Sequence, residues 1–218
     1  MKYNIGVLAL QGAFREHIQA IKRINHYPVE VRETRQLKLV DALIIPGGES
    51  TTISKLLVKY DFINVLRKWD KPLFGTCAGA ILLAKKVSNL KEPILGLMDI
   101  EVDRNAYGRQ IESFEADINI NIGTSLLKEE MSLYVPSKEM SPIVFHGVFI
   151  RAPKITKIGK GVQVLCVYDK EPVLVRQGQY LAATFHPELT EDYIVHRYFV
   201  DEIVAKVPCP GSLKKDDS

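Results

Sequence analysis

The chain has 218 residues, of which 46% are apolar and 25% charged, so it has enough apolar sequence for a substantial core and is not a disordered chain. Lys and Arg total 29 against 26 Asp and Glu, and this small excess is spread along the chain, so neither nucleic acid nor a membrane surface is indicated as a partner. The apolar runs are far shorter than the ~20 residues of a membrane-spanning helix, and the amino-terminal run is too short for a signal peptide. We therefore expect a cytoplasmic protein.

The first half of the chain repeats the order strand, glycine-rich turn, helix. Residues 2–10 predict a strand, and apolar residues at helical spacing follow between 14 and 24. A further strand is expected at 29–32, and the order then repeats with strands at 42–45 and 72–74, turns at 46–49 and 75–79 and helices at 53–60 and 80–86. The hydroxyl groups of residues 50–52 are expected to cap the middle helix. This alternation predicts an α/β fold with a mainly parallel, doubly wound sheet.

The second half is richer in alternating, half-buried strands. Residues 111–122 and 162–168 alternate, and residues 173–176 and 181–185 predict a hairpin that leads into a last strand. We expect antiparallel strands to extend one edge of the sheet, and a closing helix over 194–205. The chain is expected to form one domain over residues 1–206, with a surface insertion at 121–145 and a disordered tail at 207–218.

Cys77 is the strongest candidate for a reactive residue. It lies in the pattern Gly-x-Cys-x-Gly between a predicted strand and a predicted helix, which is the arrangement of a nucleophile elbow with Cys in place of Ser. A helix amino terminus favours the thiolate, and the N–H group of Ala78 could face an oxyanion. The structural alternative is a small buried Cys packed under the sheet.

His186 and Glu188 form the second candidate pair. Proline at 187 favours an extended residue 186, so both side chains would point to the same side and the carboxylate could orient the imidazole as a general base. The remaining histidines, at 17, 26, 146 and 196, are interpreted as structural residues on polar helix faces or in the insertion. Cys166 is expected in the core and Cys209 in the exposed tail, and the three cysteines predict neither a disulfide framework nor a zinc site.

A second glycine-rich turn spans residues 46–50 (PGGES) and is expected on the same rim as Cys77. Bare N–H groups at Gly47 and Gly48 would suit an oxyanion or a substrate carboxylate. A plain strand-to-helix turn is the alternative. No Gly-Lys-Ser/Thr follows, so a nucleotide-binding loop is not supported.

Several stretches of this sequence resemble the class I, triad-type glutamine amidotransferases and, more narrowly, the glutaminase subunits of pyridoxal 5'-phosphate synthase. They are residues 8–12 (LALQG), 46–52 (PGGESTT), 75–79 (GTCAG), 104–110 (RNAYGRQ), 113–115 (SFE), 149–153 (FIRAP) and 185–190 (FHPELT). The elbow and the His-x-Glu pattern are shared by the whole class, whereas PGGESTT, RNAYGRQ and FIRAP narrow the resemblance to the vitamin B6 branch. It covers the chain except for the 121–145 insertion, which is a departure from the family pattern, and the tail.

The resemblance implies a role for each candidate. Cys77 would be the nucleophile, and His186 and Glu188 would complete a triad that hydrolyses L-glutamine to glutamate and ammonia through a γ-glutamyl thioester. The implied glutamine-binding residues are Gly48, Glu49, Ser50, Arg104, Ile150 and Arg151, and the N–H groups of Gly48 and Ala78 would form the oxyanion hole. The implied partner is a TIM-barrel synthase subunit, in a complex of twelve synthase and twelve glutaminase subunits. Neither a cofactor nor a metal ion is expected.

Two other functions remain open from the residues. One is a glutaminase for another pathway, such as imidazole glycerol phosphate or guanylate synthesis, against which residues 104–110 argue only through family likeness. The other is a non-catalytic, redox-sensing protein of the same fold, which would need neither a glutamine pocket nor a His-x-Glu pair.

Overall fold

The computed structural model describes residues 1–104, 113–122 and 142–207. Its centre is a seven-stranded sheet in the order β10-β11-β12-β4-β3-β1-β2. These strands are β1 (Asn4–Leu8), β2 (Tyr27–Val31), β3 (Ala42–Ile45), β4 (Leu73–Thr76), β10 (Gln163–Tyr168), β11 (Glu171–Gln177) and β12 (Tyr180–Ala183).

The sheet is parallel from β2 to β12, and only β11 and β10 are antiparallel. The predicted fold class is therefore confirmed, including the antiparallel strands at one edge. The register aligns Ile45 of β3 with Gly75 of β4, and Thr76 of β4 with Ala183 of β12. Because parallel strands end at one rim, the turns that follow these three strands lie side by side.

Helices cover both faces of this sheet. They are α1 (Phe14–Arg23), α2 (Ser50–Lys59), α3 (Phe62–Leu66), α4 (Ala78–Leu83) and α5 (Ile194–Arg197), and α5 continues as a π-helix over Tyr198–Ile203 and a short 3₁₀ turn over Val204–Lys206. Ile18 and Ile21 of α1 share one apolar cluster with Phe199. Ile53 of α2 and Ile81 of α4 belong to a second cluster, against which the partly buried Trp69 packs.

Two smaller sheets flank the central one. The first contains β5 (Ala84–Ser88), β6 (Met98–Asp103) and β9 (Lys154–Ile158), and the second pairs β7 (Phe114–Ile120) with β8 (Ile143–Phe149). The strand predicted over 111–122 pairs with β8 along 114–120 and is joined to β10 of the central sheet by the N–H of Asn121, which donates to the carbonyl of Leu165. Its residues 111–112 lie outside the described part. Within the predicted insertion, residues 143–145 belong to β8 and residues 123–141 lie outside the described residues.

The prediction of a helix over residues 80–86 is wrong at the carboxyl end of that range. Helix α4 ends at Leu83, and Ala84 takes an extended conformation from which β5 continues. Lys85 and Lys86 then pair with Asp99 and Glu101 across the neighbouring strand β6. Strand pairing therefore overrides the helical propensity of this alanine- and lysine-rich stretch.

Candidate active site

Cys77 occupies the sharp turn between β4 and α4. Its backbone has φ 47° and ψ −102°, which is a left-handed conformation that a residue with a side chain rarely adopts. The N–H of Cys77 donates to the carbonyl of Ala183 at 2.8 Å, which ties the turn to β12. The side chain is almost buried, and its Sγ lies 3.8 Å from the carbonyl oxygen of Ile150.

The glycines on either side of Cys77 are required by close backbone contacts. A Cβ atom at Gly75 would lie 2.5 Å from the carbonyl carbon of Gly79, and one at Gly79 would lie 2.1 Å from the carbonyl oxygen of Ile45. Neither contact leaves space for a side chain. The Gly-x-Cys-x-Gly pattern is therefore the local requirement of a strand that turns directly into a helix packed against it.

His186 and Glu188 lie beside Cys77 just after β12. His186 Nδ1 and Glu188 Oε1 are 2.7 Å apart, and both side chains are buried. The N–H of His186 donates to the carbonyl of Val148 in β8, and a short 3₁₀ turn over Pro187–Leu189 directs the carboxylate back to the ring. Because Glu188 occupies Nδ1, Nε2 is the ring nitrogen that remains for the Cys77 thiol.

The three groups also set one another's protonation. Burial lowers the pKa of His186, but hydrogen bonds with Cys77 and Glu188 outweigh it and raise that pKa to about 10. Burial raises the pKa of Glu188, but the imidazoles of His17 and His186 outweigh burial and lower that pKa. The arrangement therefore favours an imidazolium at His186 held by a carboxylate, which is the form that can protonate a leaving amine.

The glycine turn after β3 lies against the side chains of Cys77 and His186. A Cβ atom at Gly47 would lie 2.3 Å from Cε1 of His186 and 3.2 Å from Cβ of Cys77, so only glycine allows the turn to approach them this closely. The N–H of Gly47 donates to Oγ1 of Thr76 at 3.0 Å, and its carbonyl accepts from the N–H of Ala13. The turn is thus fixed from both sides, while the neighbouring Gly48 is exposed.

Glu49 caps helix α2, which corrects the prediction that the hydroxyl groups of residues 50–52 do so. Its carboxylate accepts from the N–H groups of Thr51 and Thr52 at 3.0 and 2.6 Å. Burial raises the pKa of Glu49, but these hydrogen bonds with Thr52 and Thr51 outweigh it and lower the pKa to about 2. Arg104 Nη2 lies 3.0 Å from the same carboxylate, so Glu49 fixes an arginine as well as a helix.

Most of the sequence-predicted site residues meet at this rim. Ala78 begins α4 beside Cys77, Ser50 is buried at the start of α2, and Ile150 contacts the thiol through its carbonyl. Arg151 is exposed, with φ 43°. Residues 105–110 of the RNAYGRQ stretch lie outside the described residues, so Arg104 is the part of that motif whose position is defined.

Sequence reasoning missed three polar residues behind the triad. His17 and His196 were predicted on polar helix faces, but both are fully buried, and Thr76 is buried between His17 and Gly47. The prediction for His17 is wrong because the residue lies four positions before Ile21 and shares its buried face. His196 likewise lies four positions before the buried Val200, so the same spacing predicts burial of both histidines.

In the described ranges, no group of three or more His, Cys, Asp or Glu side chains is arranged so that it could hold a metal ion. In that same part of the chain, none of the helices has the length and apolar character needed to cross a membrane.

Comparison with known proteins agrees with the fold. A crystal structure of a glutamine amidotransferase is 47% identical, has a TM-score of 0.79, and is matched over 92% of this chain and 98% of its own. A putative GMP synthase protein from Thermoplasma acidophilum, at 15% identity and a TM-score of 0.64 over 94% of this chain and 95% of its own, shares the fold. The fold is that of the class I glutamine amidotransferases.

The particular family follows from the sequence matches. The SNO glutamine amidotransferase family matches residues 7–205, and the chain belongs to it. Among its relatives, pyridoxal 5'-phosphate synthase subunit PdxT of Pelotomaculum thermopropionicum is 49% identical, over 95% of this chain and all of that protein. The resemblance to this family predicted from the short motifs is confirmed.

Proposed function

We propose that the chain is the glutaminase subunit of a pyridoxal 5'-phosphate synthase and that it releases ammonia from L-glutamine with a triad of Cys77, His186 and Glu188. Membership of the glutamine amidotransferase family and the names of its relatives support the activity and the assembly. The observation that carries the mechanism is the placement of a strained Cys at the end of β4 beside a buried His–carboxylate pair.

The chemistry follows from the positions of these groups. The thiolate of Cys77 attacks the side-chain amide carbon of glutamine, and the oxyanion that forms faces the N–H group of Ala78 at the start of α4, together with that of Gly48. His186 donates its proton to the leaving ammonia, which leaves a γ-glutamyl thioester. The neutral imidazole then accepts a proton from water, which hydrolyses the thioester to glutamate.

Substrate recognition is assigned to the residues around the glycine turn. Gly48, Glu49, Ser50, Arg104, Ile150 and Arg151 are proposed to surround glutamine. The charge-assisted contact of Arg104 with Glu49 supports this role, since it holds the guanidinium beside the turn rather than in solvent.

The proposed partner is a synthase subunit that consumes the ammonia. A TIM-barrel synthase, a complex of twelve plus twelve subunits and a cytoplasmic location remain predictions from the family resemblance and the sequence. A glutaminase of another pathway would release ammonia without responding to this synthase, and a redox-sensing protein would release none.

The test is glutamate production by three forms of the full chain mixed with a pyridoxal 5'-phosphate synthase subunit. Cys77→Ala is expected to lose at least about a hundredfold in kcat because it lacks the nucleophile. Cys166→Ala is the matched control, because Cys166 is also buried but lies in β10, and it should keep the parent rate. Parent-like hydrolysis by Cys77→Ala would overturn the mechanism.

A further inference from the structure

A continuous set of buried polar side chains extends from the triad into the core between α1 and the carboxyl-terminal helix. His17 of α1 is at its centre. Its Nε2 lies 3.4 Å from Oε2 of Glu188 and 3.1 Å from Oγ1 of Thr76, and its Nδ1 lies 3.0 Å from Nε2 of His196. The side chains of His17 and Glu188 have no exposed surface, so solvent does not substitute for these contacts.

The carboxylate of Glu188 fixes where the proton on His17 lies. Glu188 Oε1 is occupied by His186, whereas Oε2 is buried and forms no hydrogen bond within the described chain, and His17 Nε2 lies 3.4 Å from it. A lone pair on that nitrogen would face a negative oxygen, whereas an N–H stabilises it. His17 is therefore protonated at Nε2, and its Nδ1 accepts a hydrogen bond from Nε2–H of His196.

His17 is neutral because it is buried in the core. Burial lowers the pKa of His17, although the charge of Glu188 acts against it, and burial likewise lowers the pKa of His196, to about 3. A neutral donor holds the carboxylate in place without cancelling its charge, so that charge remains available to the imidazolium of His186.

Nε2 of His17 is also linked to the glycine turn that is proposed to bind the oxyanion. Oγ1 of Thr76 lies between Nε2 of His17 and the N–H of Gly47, at 3.1 and 3.0 Å. Thr76 is also the residue before Cys77, so one hydroxyl group joins the nucleophile turn, the glycine turn and the triad carboxylate through His17.

We propose that His17 is a positioning residue of the glutaminase reaction: its Nε2–H lies against the carboxylate of Glu188 and is shared with the Thr76 hydroxyl that holds the Gly47 turn. This inference rests on the proposed function, since it assigns His17 a part in the same triad. His17 does not touch the substrate, and its effect is transmitted through Glu188 to His186.

The test compares two amide substitutions at His17 in the full chain with the synthase subunit present. His17→Gln can place an amide N–H close to the position of Nε2, whereas the shorter His17→Asn places it near Nδ1 and removes the N–H that lies against Glu188 Oε2. We expect His17→Asn to lower kcat by about tenfold or more, with KM for glutamine changed less than about threefold, and His17→Gln to stay within about threefold of the parent.

The pH profile gives a readout that a purely structural role would not move. The titratable groups that face His186 are Cys77, Glu188 and His17. A carboxylate that is no longer fixed stabilises the imidazolium less, so the alkaline limb of kcat/KM should move to lower pH in His17→Asn and be restored in His17→Gln.

Substitutions at His26 are the control. His26 accepts from the N–H of Tyr3 away from the triad, and His26→Gln and His26→Asn should both keep the parent kcat and pH profile. Equal kcat values and equal alkaline limbs for the two His17 variants, with the parent active, would overturn this inference alone. A parent chain that releases no glutamate with its synthase would overturn the proposed function, and the inference with it.

Discussion

At the scale of single residues, the imidazole of His186 transfers the proton, whereas Glu188 orients the ring and stabilises its protonated form. His186→Asn is therefore expected to cost nearly as much in kcat as Cys77→Ala, whereas Glu188→Gln costs less. Steady-state kinetics over a range of pH would show this order. A pH–rate profile that is unchanged in His186→Asn would contradict the role given to the imidazole.

The same pair predicts how stability depends on pH. The pKa of His186 is raised from 6.5 to about 10 in the folded chain, so its contribution to the free energy of unfolding is fully present below pH 6.5 and is lost as pH rises through about 10. Glu188 supplies part of that shift. The difference in thermal unfolding temperature between the parent and Glu188→Gln should therefore shrink as pH is raised toward 10, and a constant difference would argue against a charged pair.

Arg104 is the residue whose role in binding is most easily separated from catalysis. If it holds glutamine, Arg104→Ala should raise KM by roughly tenfold to a hundredfold, which corresponds to a charge-assisted bond of about 1.5–3 kcal/mol. Arg35→Ala is the control, because Arg35 also pairs with a glutamate but is mostly exposed away from the site. An unchanged KM would leave Arg104 with only its contact to Glu49.

At the scale of elements, the turn from β4 into α4 is held in a conformation that is more strained for a residue with a Cβ atom than for glycine. Both substitutions at Cys77 remove the nucleophile, but only Cys77→Gly relieves the backbone strain at φ 47°. We expect Cys77→Gly to be more stable than Cys77→Ala by about 1 kcal/mol in urea unfolding. At position 80 within α4, alanine should instead be more stable than glycine, so Ala80→Gly should lower the free energy of unfolding by about 1 kcal/mol.

The elements near the site could be predicted because their turns leave local signals. Glycine at 75 and 79 and the His-Pro-Glu order reflect contacts within a few residues, and they were sufficient to place Cys77, His186 and Glu188 on one rim. The end of α4 could not be predicted, because Ala84–Ser88 becomes a strand only through pairing with β6.

The buried histidines show a different difficulty. The spacing of His17 indicates a buried position, but histidine is intermediate in burial, so its residue type does not place it in the core. Its partners Glu188 and His196 are 171 and 179 positions away along the sequence. Contacts of that separation leave no local pattern.

At the scale of the whole molecule, the glycine turn connects the triad with a second turn at the rim. Gln11 Oε1 accepts from the N–H of Glu49, and the N–H of Ala13 donates to the carbonyl of Gly47. A partner that contacts residues 10–12 would therefore act on the turn that lies against Cys77 and His186.

Docking of the synthase subunit is accordingly expected to raise kcat by at least about tenfold, since one oxyanion donor is worth roughly a hundredfold. The measurement is kcat at saturating glutamine for the free chain and for the complex, with complex formation checked by sedimentation. Cys77→Ala should still sediment with the synthase. Equal kcat values for the free and bound chain would show that the site is already complete without its partner.

The position of Trp69 has a practical consequence for spectroscopy. It is the only tryptophan in the sequence, it packs against the apolar cluster that includes α2 and α4, and its Nε1 is buried without a hydrogen-bond partner in the described chain. Indole in such surroundings emits at shorter wavelength than indole in water. The fluorescence of Trp69 therefore reports the loss of the native core around α2 and α4. It gives the variants at Cys77 and His17 a common optical measure of unfolding.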